Sequence, residues 1–136
     1  MRRKSPSKRL HIALWIVQVV LAVLFGMAGV GKTTQPITEL TQKMVWPGAV
    51  PAPLVRFIGA SELAAALGLI LPAATRIRPV LTPLAAGGLV TIMVLAMAFH
   101  ASRGELLALP FNLILGGLAA FVAWGRLKRS PIAPKP

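Results

Sequence analysis

The sequence predicts an all-α protein that lies in a membrane as a four-helix bundle, and three observations support this prediction. Of the 136 residues, 56% are hydrophobic and the mean hydropathy is +0.75, which is too apolar for a soluble domain of this size. The apolar residues form four runs, each about as long as the roughly 20 residues that a helix needs to cross a bilayer. These runs cover about residues 10–31, 54–72, 80–100 and 106–125. The Lys and Arg residues gather outside the runs, at the chain ends and in the connections.

The first run follows a basic tail, residues 1–9, and is longer than the apolar core of a secretory signal peptide. We therefore predict that it stays in the protein as a membrane anchor. Gln18, Ala22, Gly26 and Gly29 recur on it at helical spacing. Small residues let helices approach closely in lipid, so we expect this face to look into the bundle.

The end of the first run, GMAGVGKT at residues 26–33, matches the phosphate-binding pattern G-x-x-x-x-G-K-[ST]. A phosphate-binding loop needs a short strand before it and a helix after it. Here the preceding run is too long for a strand in a small domain, and Gln35-Pro36 interrupts the following segment. The chain also contains no Asp to hold magnesium. We predict that the protein binds no nucleotide, and that Lys32 is a cation at the membrane boundary.

The second run places Glu62 near its middle. A carboxylate there costs about 2.5 to 3.5 kcal/mol on insertion scales, so it should face protein or a water-filled cavity. Arg56 lies six residues earlier, whereas helix neighbours are three or four residues apart. The partners of both side chains should therefore come from other helices. In the preceding connection we expect a short interfacial helix around residues 37–45.

The third and fourth runs each carry one notable polar residue. His100 ends the third run, and a tight polar turn at residues 101–105 leads into the fourth. Asn112 shares a helix face with Gly116 and Ala120, so we expect it to point inward. Residues 10–126 thus form one membrane domain, and a basic, proline-containing tail follows at 127–136.

The distribution of basic residues predicts the orientation. Eleven of the 15 Lys and Arg residues fall on the side of the two termini, and four fall on the other side. By the positive-inside rule both termini should be cytoplasmic, in a multi-pass protein of the inner (cytoplasmic) membrane. The net charge of +12 is then a topology signal that also attracts anionic lipid headgroups, and we predict no nucleic-acid partner.

This topology brings four polar residues to a common depth in the outer half of the bundle: Lys32, Glu62, His100 and Asn112. We predict that they line a ligand-binding pocket. Each also has a purely structural interpretation, since Lys32 and His100 could extend to the headgroups, Asn112 could join two helices, and Glu62 could pair with Lys32. The few Glu and His residues show no metal-ligand spacing. The absence of cysteine excludes disulfides, thiol redox relays and iron–sulfur clusters.

Five features of the sequence occur together: the four spans, the stretch FGMAGVGKTTQP, the stretch RFIGASELAAALGLILP with Glu62, His100 at the end of the third span, and Asn112 in the fourth. In these features the chain resembles the DoxX-like family of small bacterial membrane proteins. The resemblance covers about residues 10–126. It implies a four-helix membrane bundle, and an association with respiratory or thiosulfate-to-quinone electron transfer, or with redox-stress complexes, in some members.

These observations favour an accessory or binding subunit that accepts a small polar or quinone-like molecule. In this hypothesis Glu62 exchanges protons or hydrogen-bonds, His100 is its partner and Lys32 is the counter-charge. One alternative is a membrane subunit of a quinone-linked oxidoreductase, whose cofactor a redox or membrane protein partner would have to supply because this chain offers no flavin fingerprint or haem-pair histidines. Another alternative is a small proton-coupled transporter, against which the lack of an evident inverted repeat argues. We expect no resident cofactor or metal. The sequence singles out no catalytic residue and does not favour an enzymatic function.

Overall fold

The structure is a computed structural model that describes residues 7–136. The first six residues of the predicted basic tail lie outside this range. The described chain forms five α-helices: α1 (Lys8–Thr34), α2 (Ile37–Lys43), α3 (Ala52–Thr75), α4 (Leu81–Ser102) and α5 (Leu109–Trp124). Short 3-10 turns at Trp46–Ala49 and Leu106–Ala108 precede α3 and α5, and a π-helical turn at Gly125–Arg129 continues α5.

The four predicted membrane spans are confirmed as long helices. Four helical segments of the described chain are long and apolar enough to cross a membrane, with the fourth running from Leu106 to Arg129. The short helix expected around residues 37–45 is present as α2. Helices α1 and α3 extend two or three residues past both ends of their apolar runs, and α4 extends past the end of its run, because polar residues at the ends still form backbone hydrogen bonds. Ser7, for example, accepts a hydrogen bond from the amide of Leu10 and caps the start of α1.

The four long helices run alternately up and down, and α1 packs mainly against α3 while α4 packs mainly against α5. The bundle core is apolar and includes Leu21, Phe25, Leu69, Leu89, Met93, Leu115 and Val122. The outward faces are apolar as well: Met27, Phe57, Leu95 and Leu113 are each more than 60% exposed. A helix that is apolar on every side suits a lipid environment, where the outward side chains contact acyl chains. The protein is therefore an all-α membrane bundle.

The backbones of α1 and α3 approach each other closely at Gly29 and Gly59. A Cβ atom added at Gly29 would lie 2.7 Å from the carbonyl oxygen of Gly59, and one added at Gly59 would lie 2.6 Å from the Cβ of Lys32. Gln18 and Gly29 are both buried, so the predicted inward face of the first helix is confirmed. The contact brings the next turn of α1 within side-chain reach of Glu62.

The C-terminal segment folds back onto the turn between α3 and α4. The Arg76 guanidinium donates from Nε to the carbonyl oxygen of Ala133 at 2.9 Å, and the amide of Lys135 donates to the carbonyl oxygen of Arg76 at 2.9 Å. Arg76 is held in a left-handed conformation at φ 59°, where it ends α3. These bonds connect the end of the chain to the membrane domain.

Candidate ligand-binding site

A cavity of about 450 Å3 opens at one end of the bundle, where α1 and α4 end and α3 and α5 begin. We call this the Lys32 end, and the opposite end the Lys8 end. All four polar residues singled out from the sequence line the cavity: Lys32, Glu62, His100 and Asn112. The remaining wall is largely apolar and aromatic, with Phe25, Phe111, Leu115 and Trp46 among its members. Its size is in the range of pockets that hold small organic molecules.

Lys32 and Glu62 form a buried ion pair in the wall of this cavity. The Lys32 Nζ atom lies 2.8 Å from each carboxylate oxygen of Glu62, and the two residues are 7% and 2% exposed. The ammonium also faces the ring of Trp46, with 5.6 Å to the ring centroid. A paired carboxylate can be kept inside a bundle that would exclude a lone one.

Asn112 provides an unsatisfied hydrogen-bond donor in the same cavity. The residue is only 7% exposed, and its side-chain nitrogen Nδ2 finds no hydrogen-bond partner among the described residues. The inward orientation expected for Asn112 is confirmed. A buried donor without a partner costs about 1–3 kcal/mol, so an acceptor in the cavity would recover that free energy if a rotation of the amide turned the nitrogen towards it.

The hydrogen-bond partner of His100 differs from the expected one. Its Nδ1 atom lies 2.7 Å from a carboxylate oxygen of Glu105, five residues further along the chain, and not beside Glu62. Gly104 adopts φ 71° between them, which turns the chain so that Glu105 points back at the end of α4. Arg103 donates to the other oxygen of Glu105. The expected pairing of His100 with Glu62 is therefore wrong in this structure, because a local turn supplies a nearer carboxylate.

Protonation of the Glu105 carboxylate is expected to lower the stability of the protein in acid. Hydrogen bonds from Arg103 and His100 hold the pKa of the Glu105 carboxyl below its ordinary value of 4.5. A lowered pKa means that these bonds stabilise the fold fully above that ordinary value, and that their contribution is lost as the pH falls through the folded-state pKa. We expect the thermal midpoint to decrease as the pH is lowered through this range. The Glu105→Gln variant should lack this part of the decrease. A thermal melt series from pH 7 to pH 3 would measure it; an equal acid response in both proteins would contradict it.

Arg56 holds the end of α1 in place next to the ion pair. Its Nη1 atom donates to the carbonyl oxygens of Lys32 and Gln35 at 2.8 and 2.6 Å. The last carbonyl groups of a helix have no partner within the helix, and this guanidinium supplies one. The expectation that the partners of Arg56 come from another helix is thus confirmed. That these partners are backbone atoms was not predicted.

Comparison with known proteins agrees with this architecture. The model of the DoxX-like family matches residues 16–122, which is most of the chain. The chain belongs to the DoxX-like family. The four cavity residues of this DoxX-like protein all lie within the matched range. Comparison with curated proteins and with solved structures found no match.

A second polar cluster lies at the Lys8 end of the DoxX-like bundle. Gln18 is fully buried, and its Nε2 atom donates to the carbonyl oxygen of Leu69 at 2.7 Å. Its Oε1 atom accepts from Nε of Arg126 at 2.7 Å, and Nη1 of Arg126 lies 3.0 Å from Nδ1 of His11. Neither residue was predicted to join such a cluster, in which Arg126 is buried and His11 is exposed. Arg126 follows a helical run without a break, and this continuity is the one signal that could have placed it inside.

Neither cluster has the composition of a metal site. Within residues 7–136 no three His, Cys, Asp or Glu side chains come close enough together to hold a metal ion. The Lys32 end instead combines one ion pair, one carboxylate-bound imidazole and one buried, unpartnered amide nitrogen. This set can donate hydrogen bonds and exchange a proton with a bound molecule.

Proposed function

We propose that this DoxX-like protein is an accessory or binding subunit of the cytoplasmic membrane, and that the cavity at its Lys32 end accepts a small quinone-like molecule. The observation that carries the proposal is the unpartnered amide nitrogen of Asn112 in the wall of a largely apolar cavity. A quinone is a flat apolar ring with carbonyl oxygens, which accept hydrogen bonds and donate none. One such oxygen would satisfy Asn112, and the ring would lie against the aromatic wall.

The charged neighbours support the same class of ligand. A quinone that is reduced takes up protons, and a site for it benefits from groups that can supply or hold them. The imidazole of His100 is oriented by Glu105, and the carboxylate of Glu62 is held by Lys32 at 2.8 Å. These groups lie in the wall of one cavity. The described residues offer no redox centre of their own, so electron transfer would need a partner protein.

The variant Asn112→Leu tests the proposal because stability and binding should change in opposite directions. Leucine has a similar volume and no donor, so we expect the free energy of unfolding to rise by about 1–3 kcal/mol when the buried orphan amide is removed. Affinity for a short-chain ubiquinone should fall roughly 5- to 10-fold, the worth of one hydrogen bond. Binding can be followed as quenching of Trp46 fluorescence in a protein whose Trp15 and Trp124 are replaced by Phe.

Gln42→Leu is the matched control, since it removes an exposed amide on α2 outside the cavity. We expect it to leave both measurements unchanged. Two results would overturn the proposal: no quenching of Trp46 by the quinone in the parent protein, or equal affinity in the parent and Asn112→Leu. A fall in stability of Asn112→Leu with unchanged binding would show that the amide has a structural partner instead.

A further inference from the structure

A second cavity, of about 610 Å3, lies at the Lys8 end and differs in chemistry from the first. The first turn of α1, the turn after α3 and the C-terminal segment form its walls. Lys8, His11 and Arg76 supply its polar groups, and Ile12 and Ile132 are among its apolar members. Lys8 and Arg76 are exposed, so a ligand can reach both cations.

The cavity has a fixed shape because the C-terminal segment is bound on both sides. Arg76 donates to the carbonyl oxygens of Ala133 and Pro134 at 2.9 and 3.3 Å. Ser130 is buried, and its carbonyl oxygen accepts from Nη1 of Arg126 at 3.1 Å. The wall between these two contacts is therefore held to the helices at two points.

Arg126 lies directly behind this wall and is a buried charge without a carboxylate partner. It is 3% exposed, its contacts are to neutral acceptors, and its Nη2 atom has no hydrogen-bond partner among the described residues. The whole chain has three acidic residues, Glu39, Glu62 and Glu105, and all three lie in the Lys32 half. Buried charges in proteins are normally paired. No acidic side chain therefore lies at the Lys8 end to balance Lys8, Arg76 and Arg126, and an added anion would be stabilised there.

We propose that this cavity binds the phosphate of an anionic phospholipid, with Lys8 and Arg76 at the phosphate and the first acyl carbons against Ile12. The combination of a cationic rim and an apolar wall at a membrane boundary suits an amphiphile better than a free anion. Basic pockets between membrane helices bind anionic lipid headgroups in this way. The site is a discrete one, in addition to the general attraction of a basic protein to an anionic membrane.

Native mass spectrometry of the full chain, released from nanodiscs of equal parts phosphatidylglycerol and phosphatidylcholine, tests the proposal. We expect one phosphatidylglycerol to be retained in preference to phosphatidylcholine. Lys8→Gln and Arg76→Gln should each weaken its retention about fivefold, the effect of removing one cation near an anionic headgroup. The Lys8 side chain is exposed and forms no hydrogen bond or ion pair among the described residues, so Lys8→Gln separates binding from folding.

Arg78→Gln is the matched control: Arg78 is exposed in the same turn, has a left-handed backbone like Arg76 and does not line the cavity. Its retention of phosphatidylglycerol should equal that of the parent protein. An equal loss of phosphatidylglycerol retention in Arg78→Gln would show that diffuse electrostatic attraction holds the lipid, and would overturn the proposal. Equal retention of the two lipids, or displacement of the phospholipid by millimolar inorganic phosphate, would also overturn it. None of these outcomes depends on the cavity at the Lys32 end.

Discussion

The variant Lys32→Met is expected to lose about 3–5 kcal/mol of unfolding free energy, because it leaves the carboxylate of Glu62 buried without a counter-charge. Glu62 is 2% exposed and both of its oxygens lie 2.8 Å from the Lys32 ammonium, so no other described cation is as close. Glu62→Gln should cost a similar amount, since it strands the ammonium. Equilibrium unfolding in mixed detergent micelles measures both values.

The double variant Lys32→Met with Glu62→Leu should recover most of the lost stability. Replacing both members of a buried pair by apolar residues of similar volume is often neutral or stabilising. Lys43→Met, on the exposed surface of α2, is the control and should change stability by less than about 0.5 kcal/mol. Near-neutral single variants at Lys32 and Glu62 would show that the folded protein does not contain the buried ion pair, and would contradict the prediction.

The same double variant separates a structural role of the ion pair from a functional one. If the pair only joins α1 to α3, a stable double variant should bind a short-chain ubiquinone as well as the parent protein does. If the pair contacts the ligand, the double variant should be stable but bind weakly. The proposal that the pair belongs to the ligand site requires the second result, and the first would restrict the site to Asn112 and His100.

Much of the bundle could be predicted from the sequence because membrane spans depend on two quantities that a sequence shows directly. Hydropathy locates a span, and a rise of 1.5 Å per residue gives the depth of each side chain within it. Lys32, Glu62 and Asn112 do lie together at one end for this reason. The burial of Glu62 follows from the cost of exposing a carboxylate to lipid.

Depth along a helix does not determine the direction in which a side chain points. For this reason the hydrogen-bond partner of His100 and the burial of Arg126 were not predicted correctly. His100 was placed at the correct end, but a turn through Gly104 brought Glu105 closer to it than Glu62. The burial of Arg126 was not predicted, because a basic residue at the end of a span usually extends to the headgroups. In the structure Gln18 and His11 hold it inside, and contacts between such distant parts of a chain have no local signature.

Gly29→Ala is the second variant that we expect to lower stability strongly, because neither Gly29 nor Gly59 has room for a methyl group at the contact between α1 and α3. Gly29→Ala would place a Cβ atom 2.7 Å from the carbonyl oxygen of Gly59 and 2.9 Å from the backbone nitrogen of Leu63. Both neighbours are backbone atoms, so the clash can be relieved only if α1 and α3 move apart. Overpacking of this kind costs about 1–3 kcal/mol and sometimes more. Here the separation should also lengthen the bond between Lys32 and Glu62, so we expect the upper part of that range.

Gly117→Ala provides the matched control, because Gly117 lies within α5 and a Cβ there meets no other atom within 4 Å. Alanine is a better helix former than glycine by about 0.5–1 kcal/mol, so this variant should be slightly more stable than the parent protein. The same chemical change is thus expected to have opposite signs at Gly29 and Gly117 in one unfolding experiment. A stabilising or neutral Gly29→Ala would mean that α1 and α3 do not touch there, and the geometric basis for the ion pair beside the cavity would fail with it.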